Sequence, residues 1–341
     1  MILIQNIYYM LSYAFKVLNE KGYKDIETEE FENAAELLTA ILLKGVSIEL
    51  KRGIKKDYIP KTENLTMLKG KIDLTDSMKK QTYLQRQMVC TYDDFSIDIY
   101  LNKIIKSTLS YLLHSSISKE RKKLIRKTLV YFNDVELIDI HSINWKINFN
   151  KSNQTYKMLI SICNLIIKGL IQTNSQGKTR LMDFIDEQRM SALYEKFIFE
   201  YYKKEHTELD VNASFINWQL DDGYDEFLPR MRSDITISKG DKVLIIDAKY
   251  YGDNMQHHYD GNTIISNNIY QIFTYVKNKD IELKGKAEVS GMLLYAKTDQ
   301  QIQPDNTYKM SGNIISVKTL DLGLNFTHIK QYLENIVSNY F

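Results

Sequence analysis

Apolar residues recur three and four positions apart from the start of the chain. Ile4, Ile7, Tyr8, Leu11, Ala14, Phe15 and Leu18 form one stripe, which predicts an amphipathic helix. The same period returns between Phe31 and Ile48, through Ala34, Leu37, Leu38, Ile41, Leu42 and Ile48. Its approach is acidic, with Asp25, Glu27, Glu29, Glu30 and Glu32 placed where the positive end of a helix dipole favours carboxylates. Over residues 54–95 the pattern alternates instead, and Gly53, Pro60 and Gly70 punctuate it, so strands and turns are expected. Helical spacing resumes over Tyr100–Leu113. The longest apolar stretch, Met158–Ile167, is bounded by Lys157 and Lys168; it fits a buried helix and is too short to cross a bilayer.

The polar run Gln172–Thr179 reads as a loop or linker. Beyond it, Ser191–Glu205 carries Leu193, Tyr194, Phe197, Ile198 and Tyr201 on one helical stripe. Strands are predicted at Ala213–Leu220, Leu228–Ser238 and Lys242–Tyr250, the last two joined by the turn signal Lys239-Gly240-Asp241. A helix over Ile264–Lys277, strands at Val289–Ala296 and Asn313–Leu320, and a helix over Thr327–Val337 complete the order αβββαββα. No internal repeat is present. The expected fold class is mixed α/β, with one domain over 1–172, a linker over 173–180 and a second domain over 181–341.

Composition sharpens this picture. A chain of 341 residues is long enough for two compact units at about 150 residues each. With 44% hydrophobic and 26% charged residues, 3 prolines and 14 glycines, disordered and collagen-like classes are excluded. Cys90 and Cys163 stand in no metal-ligand or redox spacing, which points to a reducing, cytoplasmic setting, and no secretory signal pattern opens the chain. The net charge of +2 hides an asymmetry: residues 1–172 carry 26 basic and 19 acidic side chains (+7), residues 173–341 carry 19 and 24 (−5). Six basic residues within Lys119–Lys127 suit either a phosphate-binding stripe or a solvated helix face, and the second is the ordinary outcome for such runs.

The segment that carries chemistry runs from Met231 to Lys249. Val243–Ile246 is an aliphatic run fit for a central strand, yet it ends in Asp247-Ala248-Lys249. Side chains alternate along a strand, so Asp247 and Lys249 project to one side while Ala248 packs on the other. Asp234 lies 13 residues earlier on the preceding strand, and a hairpin turning at Gly240 folds it back beside Asp247. Two hard oxygen donors with open positions suit Mg²⁺. An adjacent lysine is placed to orient or deprotonate a water, or to neutralise charge on a phosphorane-like transition state. The implied chemistry is metal-assisted phosphodiester hydrolysis. A simple ion pair at a strand end is the bland alternative.

Asp234 and Asp247-Ala-Lys249, set in an α-β-β-β-α-β order, resemble the PD-(D/E)xK nuclease core, with Ser233 where that motif usually has proline. Three longer segments, Asn6–Tyr13, Leu228–Ile237 and Ile246–Tyr251, are similar to the McrC family, the nuclease subunits of McrBC modification-dependent restriction systems. This likeness covers nearly the whole chain. It implies an N-terminal α+β adaptor domain followed by a restriction-endonuclease-like αβββαβ core with a central mixed sheet. It also implies that Asp234 and Asp247 are Mg²⁺ ligands and that Lys249 is the water-positioning base or charge stabiliser. Glu195, on the first core helix, would supplement the metal site; it lies off the apolar stripe, where a solvated glutamate fits equally well. Gln271 and Tyr275 resemble the Gln-xxx-Tyr element of related nucleases, which would steady the scissile phosphate or the lysine. Core packing of Tyr275 with a solvated Gln271 is the alternative. Tyr250 and Tyr251 are expected to pack.

McrC-like proteins work with a separate AAA+ GTPase, McrB, whose hexameric ring reads the modified base. The resemblance therefore implies that GTP is bound by the partner and not by this chain, and that residues 1–172 dock on the ring and stimulate GTP hydrolysis. Residues 181–341 would cut double-stranded DNA carrying 5-methylcytosine, leaving 5′-phosphate and 3′-hydroxyl ends, with self-association of nuclease domains for two scissions. A nuclease-like scaffold that only activates the GTPase is the competing class; two carboxylates and a lysine at one buried strand end argue against it.

Other motifs fail. Gly177-Lys-Thr179 ends like a P-loop, but Gln172 stands where the first glycine is required. His257 and His258 fall in a predicted polar loop, Gly252–Asn262, without further ligands, and receive no metal. No nucleophile-elbow glycine pattern supports a serine triad. A C-terminal half at −5 attracts phosphate little, so weak DNA affinity is expected for the isolated chain, with DNA delivered by the partner.

Overall fold

The computed structural model describes residues 2–150, 153–176, 187–252, 254–258, 261–297, 300 and 302–341. The chain divides into two units, one of Ala35–Lys178 and one that joins Met1–Ala34 to Thr179–Phe341. The N-terminal domain expected over 1–172 thus loses its first 34 residues to the other unit. Residues 173–176, expected in the linker, continue the helix Gln154–Gln176; the remainder of the linker and Gly177-Lys-Thr179 lie outside the described residues.

The unit Ala35–Lys178 contains the helices Ala34–Arg52, Tyr100–Leu112, Lys119–Leu129 and Gln154–Gln176. It also holds an antiparallel sheet in which Met88–Ser96 lies between Asp57–Leu65 and Lys71–Asp73. Leu38, Ile41, Ile104, Leu109, Leu159 and Ile162 are buried, as the helical spacing demands. Buried Asn102 donates to the carbonyls of Lys55 (2.9 Å) and Ile97 (2.7 Å) and accepts from the Tyr156 hydroxyl (3.0 Å). One amide so satisfies backbone groups on both sides of the sheet segment and ties it to the helices. The basic run is a solvated helix face: Lys119, Lys123, Arg126 and Lys127 are exposed while Ile125 points inward.

The other unit runs α1 (Ile4–Ala14), α2 (Glu187–Glu205), β1 (Asp210–Asn212), β2 (Phe215–Ile216), β3 (Met231–Arg232), β4 (Ile235–Lys239), β5 (Lys242–Lys249), β6 (Met255–His258), β7 (Gly261–Ile264), α3 (Ser266–Leu283), β8 (Glu288–Ala296), β9 (Asn306–Met310), β10 (Asn313–Leu320) and α4 (Phe326–Tyr340). Its six-stranded sheet has the order β9-β10-β8-β5-β4-β1, with β5, β8 and β10 parallel and the remaining pairings antiparallel. The mixed α/β class and the mixed sheet agree with expectation. The predicted strands at Ala213–Leu220 and Leu228–Ser238 are each reduced to shorter pieces. Neither the β6–β7 hairpin nor the edge strand β9 was expected, and His257 and His258 stand in β6, not in a loop.

Helix α3 covers one face of the sheet, where Val243, Ile245, Leu293 and Tyr295 pack with Ile272, Tyr275 and Val276. It sits close: a Cβ added at Gly291 on β8 would lie 2.7 Å from the Val276 side chain and 2.9 Å from that of Ile272. Helix α2 covers the other face, with Tyr194 against Tyr250, and α1 and α4 pack on α2. Asn6 fastens α1 by donating to the carbonyls of Leu322 and Leu324, both at 2.7 Å.

Candidate functional site

Strand β5 is buried along its length because both sheet faces are covered, and it alternates between them. Val243, Ile245, Asp247 and Lys249 face α3; Leu244, Ile246 and Ala248 face α2. Strands β4 and β5 are joined by the two-residue loop Gly240-Asp241, with Gly240 at φ +60°, a backbone conformation that tight hairpins demand and glycine supplies freely. The register pairs Ile235 with Ile246. Carried one position further, it sets Asp234 across from Asp247. Ser233, just before, leaves the β4 ladder and donates its N–H to the Ser214 carbonyl at 3.1 Å, and its hydroxyl lies 2.8 Å from that of Thr236. The break turns Asp234 so that its Oδ2 accepts the Ala248 N–H at 3.0 Å. The two carboxylates and the lysine converge at the end of one strand and are not splayed apart.

Electrostatics at this end are unusual. Asp247 is 1% exposed, and Lys249 Nζ lies 2.8 Å from its Oδ2 with 15% of the lysine side chain accessible. Lys249 thus pairs with Oδ2, while the buried Oδ1 has no partner. A sealed carboxylate with an unpartnered oxygen is costly unless something else coordinates it. Burial, and then the charges of Asp247 and Glu195, push the Asp234 carboxyl up to about 8, against the opposing pull of Lys249 and the Ala248 N–H. Burial works against the Lys249 ammonium, but Asp247 outweighs it and raises the lysine above its ordinary value. Burial, with a smaller contribution from Asp247, also raises Glu195.

A stability measurement follows from Asp234. Between the ordinary carboxylate value of 3.8 and about 8, the folded chain holds a proton that the unfolded chain has released, so stability falls as pH rises through that window. In the presence of a chelator, the melting temperature of the wild type should drop relative to Asp234→Asn between pH 5 and pH 8. Parallel curves for the two proteins would show that the carboxyl is not perturbed.

The remaining predicted residues are placed as follows. Glu195, on α2, accepts from the Ser191 hydroxyl at 3.1 Å and shares a groove of about 380 Å³ with Asp234, lined also by Lys196 and Arg232. It is not drawn into a tight cluster, for no group of three or more His, Cys, Asp and Glu side chains close enough to hold a metal occurs among the described residues. Gln271 and Tyr275 bond to each other, Nε2 to hydroxyl at 2.9 Å, with Tyr275 in the core under α3. They are not hydrogen-bonded to Asp234, Asp247 or Lys249. Sequence reasoning missed Asn268 and Tyr295, a bonded pair on the Asp247 face whose only sequence signal is a hydroxyl near the end of the apolar strand β8.

A mixed sheet with helices on both faces, and an acidic pair with a lysine at the end of a buried central strand, define a mixed α/β protein with a charged site at one strand end. Residues 4–296 match the family model described as McrBC 5-methylcytosine restriction system component. The chain is 32% identical over 346 residues to the Escherichia coli K12 type IV methyl-directed restriction enzyme EcoKMcrBC, covering 99% of this chain and 97% of that protein. The chain belongs to the family of McrBC 5-methylcytosine restriction system components. Its fold also resembles a solved Thermococcus gammatolerans half-complex, from a tetradecameric assembly of McrB AAA+ hexamers with bound McrC, with a TM-score of 0.55 at 16% identity over 98% of this chain and 75% of that one.

Proposed function

We propose that this chain is the nuclease subunit of a GTP-dependent restriction system. It docks on an McrB-like AAA+ GTPase hexamer, stimulates its GTP hydrolysis, and cuts DNA carrying modified cytosine by Mg²⁺-dependent phosphodiester hydrolysis. The unit built on α2 and β4 to β8 acts as a PD-(D/E)xK core, and Ala35–Lys178 acts as the adaptor. The observation that carries the reading is Asp247: a carboxylate sealed in the core, paired through Oδ2 with Lys249 and with Oδ1 unpartnered, beside Asp234. That donor set fits a hard divalent cation, which would be held by Asp234 and Asp247 with waters filling its other positions. When bound, Mg²⁺ polarises a phosphoryl oxygen and makes a water more acidic.

The chain's own groups do the rest. Lys249, held protonated by Asp247, acts as a cation that orients the attacking water and stabilises charge on the phosphate, not as a base. Glu195 borders the groove and reaches the reaction through water. Arg230 and Arg232 are exposed four and two residues before Asp234, where a DNA backbone would pass. No helix among the described residues is long and apolar enough to cross a membrane.

The test reconstitutes the chain with its cognate GTPase. Methylated duplex should be cut only when both proteins, GTP and Mg²⁺ are present, and unmethylated duplex should survive. Stimulated GTP hydrolysis without any cutting would instead establish the non-enzymatic activator.

A further inference from the structure

Two buried groups on the α3 face have opposite, unmet hydrogen-bonding demands. Asp247 keeps its Oδ1 without a donor, its Oδ2 being paired with Lys249. Tyr295, fully buried on β8, accepts from Asn268 Nδ2 at 2.8 Å, which occupies its oxygen and leaves its own O–H proton without an acceptor among the described residues. The register makes Tyr295 the neighbour of Lys249 and Leu293 that of Asp247, so all four side chains lie on one face. The Tyr251 hydroxyl approaches Asn268 Oδ1 at 3.5 Å, which turns the amide so that its nitrogen faces Tyr295. Both Asp247 and Lys249 act electrostatically on the phenol, and burial, the largest effect, pushes it up to about 12, so it remains a donor throughout the working pH range. A phenol that accepts from Asn268, on the same sheet face as Lys249 and Asp247, keeps its own proton for a further acceptor at that face.

We propose that Tyr295 donates a hydrogen bond to the attacking water at the Asp247–Lys249 site, and that Asn268 is the positioning residue that turns the phenol toward it. The inference rests on the nuclease reading above. In the reaction the water oxygen bonds to phosphorus, the P–O3′ bond breaks, and the proton released by the water is matched by the one taken up at the 3′ oxygen. Tyr295 is not consumed and stays protonated; it fixes the lone-pair direction of the nucleophile.

The experiment measures single-turnover cleavage of methylated duplex by the complex with its GTPase, with GTP hydrolysis and melting temperature as controls. Tyr295→Phe keeps the ring and should slow cleavage by about 10–100-fold with GTP hydrolysis at the wild-type value; the melting temperature falls by a few degrees because the Asn268 amide loses its acceptor, and the complex stays folded at the assay temperature. Asn268→Asp, the same shape with the donor replaced by an acceptor, should capture the phenolic proton and slow cleavage to a similar extent. The double variant should be no slower than the worse single, because both act through one hydroxyl. Wild-type rates for Tyr295→Phe, or multiplicative losses in the double variant, overturn the proposal. Cleavage that survives Asp247→Ala would instead bring down the nuclease reading itself, so the two failures are distinct.

Discussion

Asp247→Ala should lower DNA cleavage by at least about a thousand-fold while the partner's GTP hydrolysis remains fully stimulated. The size follows from the proposed role of the carboxylate: it is the most buried acid at the site, with Oδ1 unpartnered and Oδ2 on Lys249, so removing it takes away the proposed anchor for a cation and the charge that keeps Lys249 protonated. Unchanged cutting by this variant rejects the site. Loss of cutting together with loss of stimulation signals misfolding instead, and Asp247→Asn, which keeps the volume, separates the two.

The same residue carries a stability cost. Sealing a carboxylate with one oxygen unpartnered is unfavourable, and the ion pair with Lys249 compensates only in part. Removing Asp247 alone strands a mostly buried ammonium. Replacing both, as Asp247→Ala with Lys249→Met, should give a chelator-treated protein at least as stable as wild type and inactive in cleavage. Stability given up at a strand end is what function at that end requires.

What the sequence made legible was local. The alternation of β5, the glycine of the β4–β5 loop and the 13-residue offset suffice to set Asp234 opposite Asp247, because a hairpin has few degrees of freedom. Spacing also put Gln271 and Tyr275 on one helix face, but not the bond they make to each other. It could not say which turn of α3 lies over the strand end. That depends on how closely α3 seats on Gly291, and the seating brings Asn268, one turn earlier, to Tyr295. Domain membership of the first helix was illegible for the same reason: Asn6 binds carbonyls 316 and 318 residues away, and no local pattern encodes such a partner. The run Gln172–Gln176 is polar but holds no glycine or proline, so nothing in it stops the preceding helix.

Charging the surface around residues 67–84 should abolish coupling to the GTPase. In this segment Met67, Leu68, Leu74, Met78, Tyr83 and Leu84 are each more than half exposed, which is a poor arrangement for a chain that stays alone in water. The presentation is fixed. Gly70, at φ +66°, leads into the strand Lys71–Asp73 where an added Cβ would lie 2.4 Å from the Thr91 carbonyl, and Asp73 caps the following helix by accepting the Asp76 N–H at 2.9 Å. Full burial of one such side chain contributes about 1.5–3 kcal/mol, so losing two weakens association by roughly 3–6 kcal/mol. That corresponds to about a hundred-fold or more in Kd. Met78→Glu with Leu84→Glu, at positions 71% and 69% exposed, should leave the melting temperature of the isolated chain unchanged. The same double variant should eliminate both GTPase stimulation and partner-dependent DNA cutting, in contrast to Asp247→Ala, which removes cutting alone. A charged variant that stimulates GTP hydrolysis like the wild type would place the docking surface elsewhere on the chain.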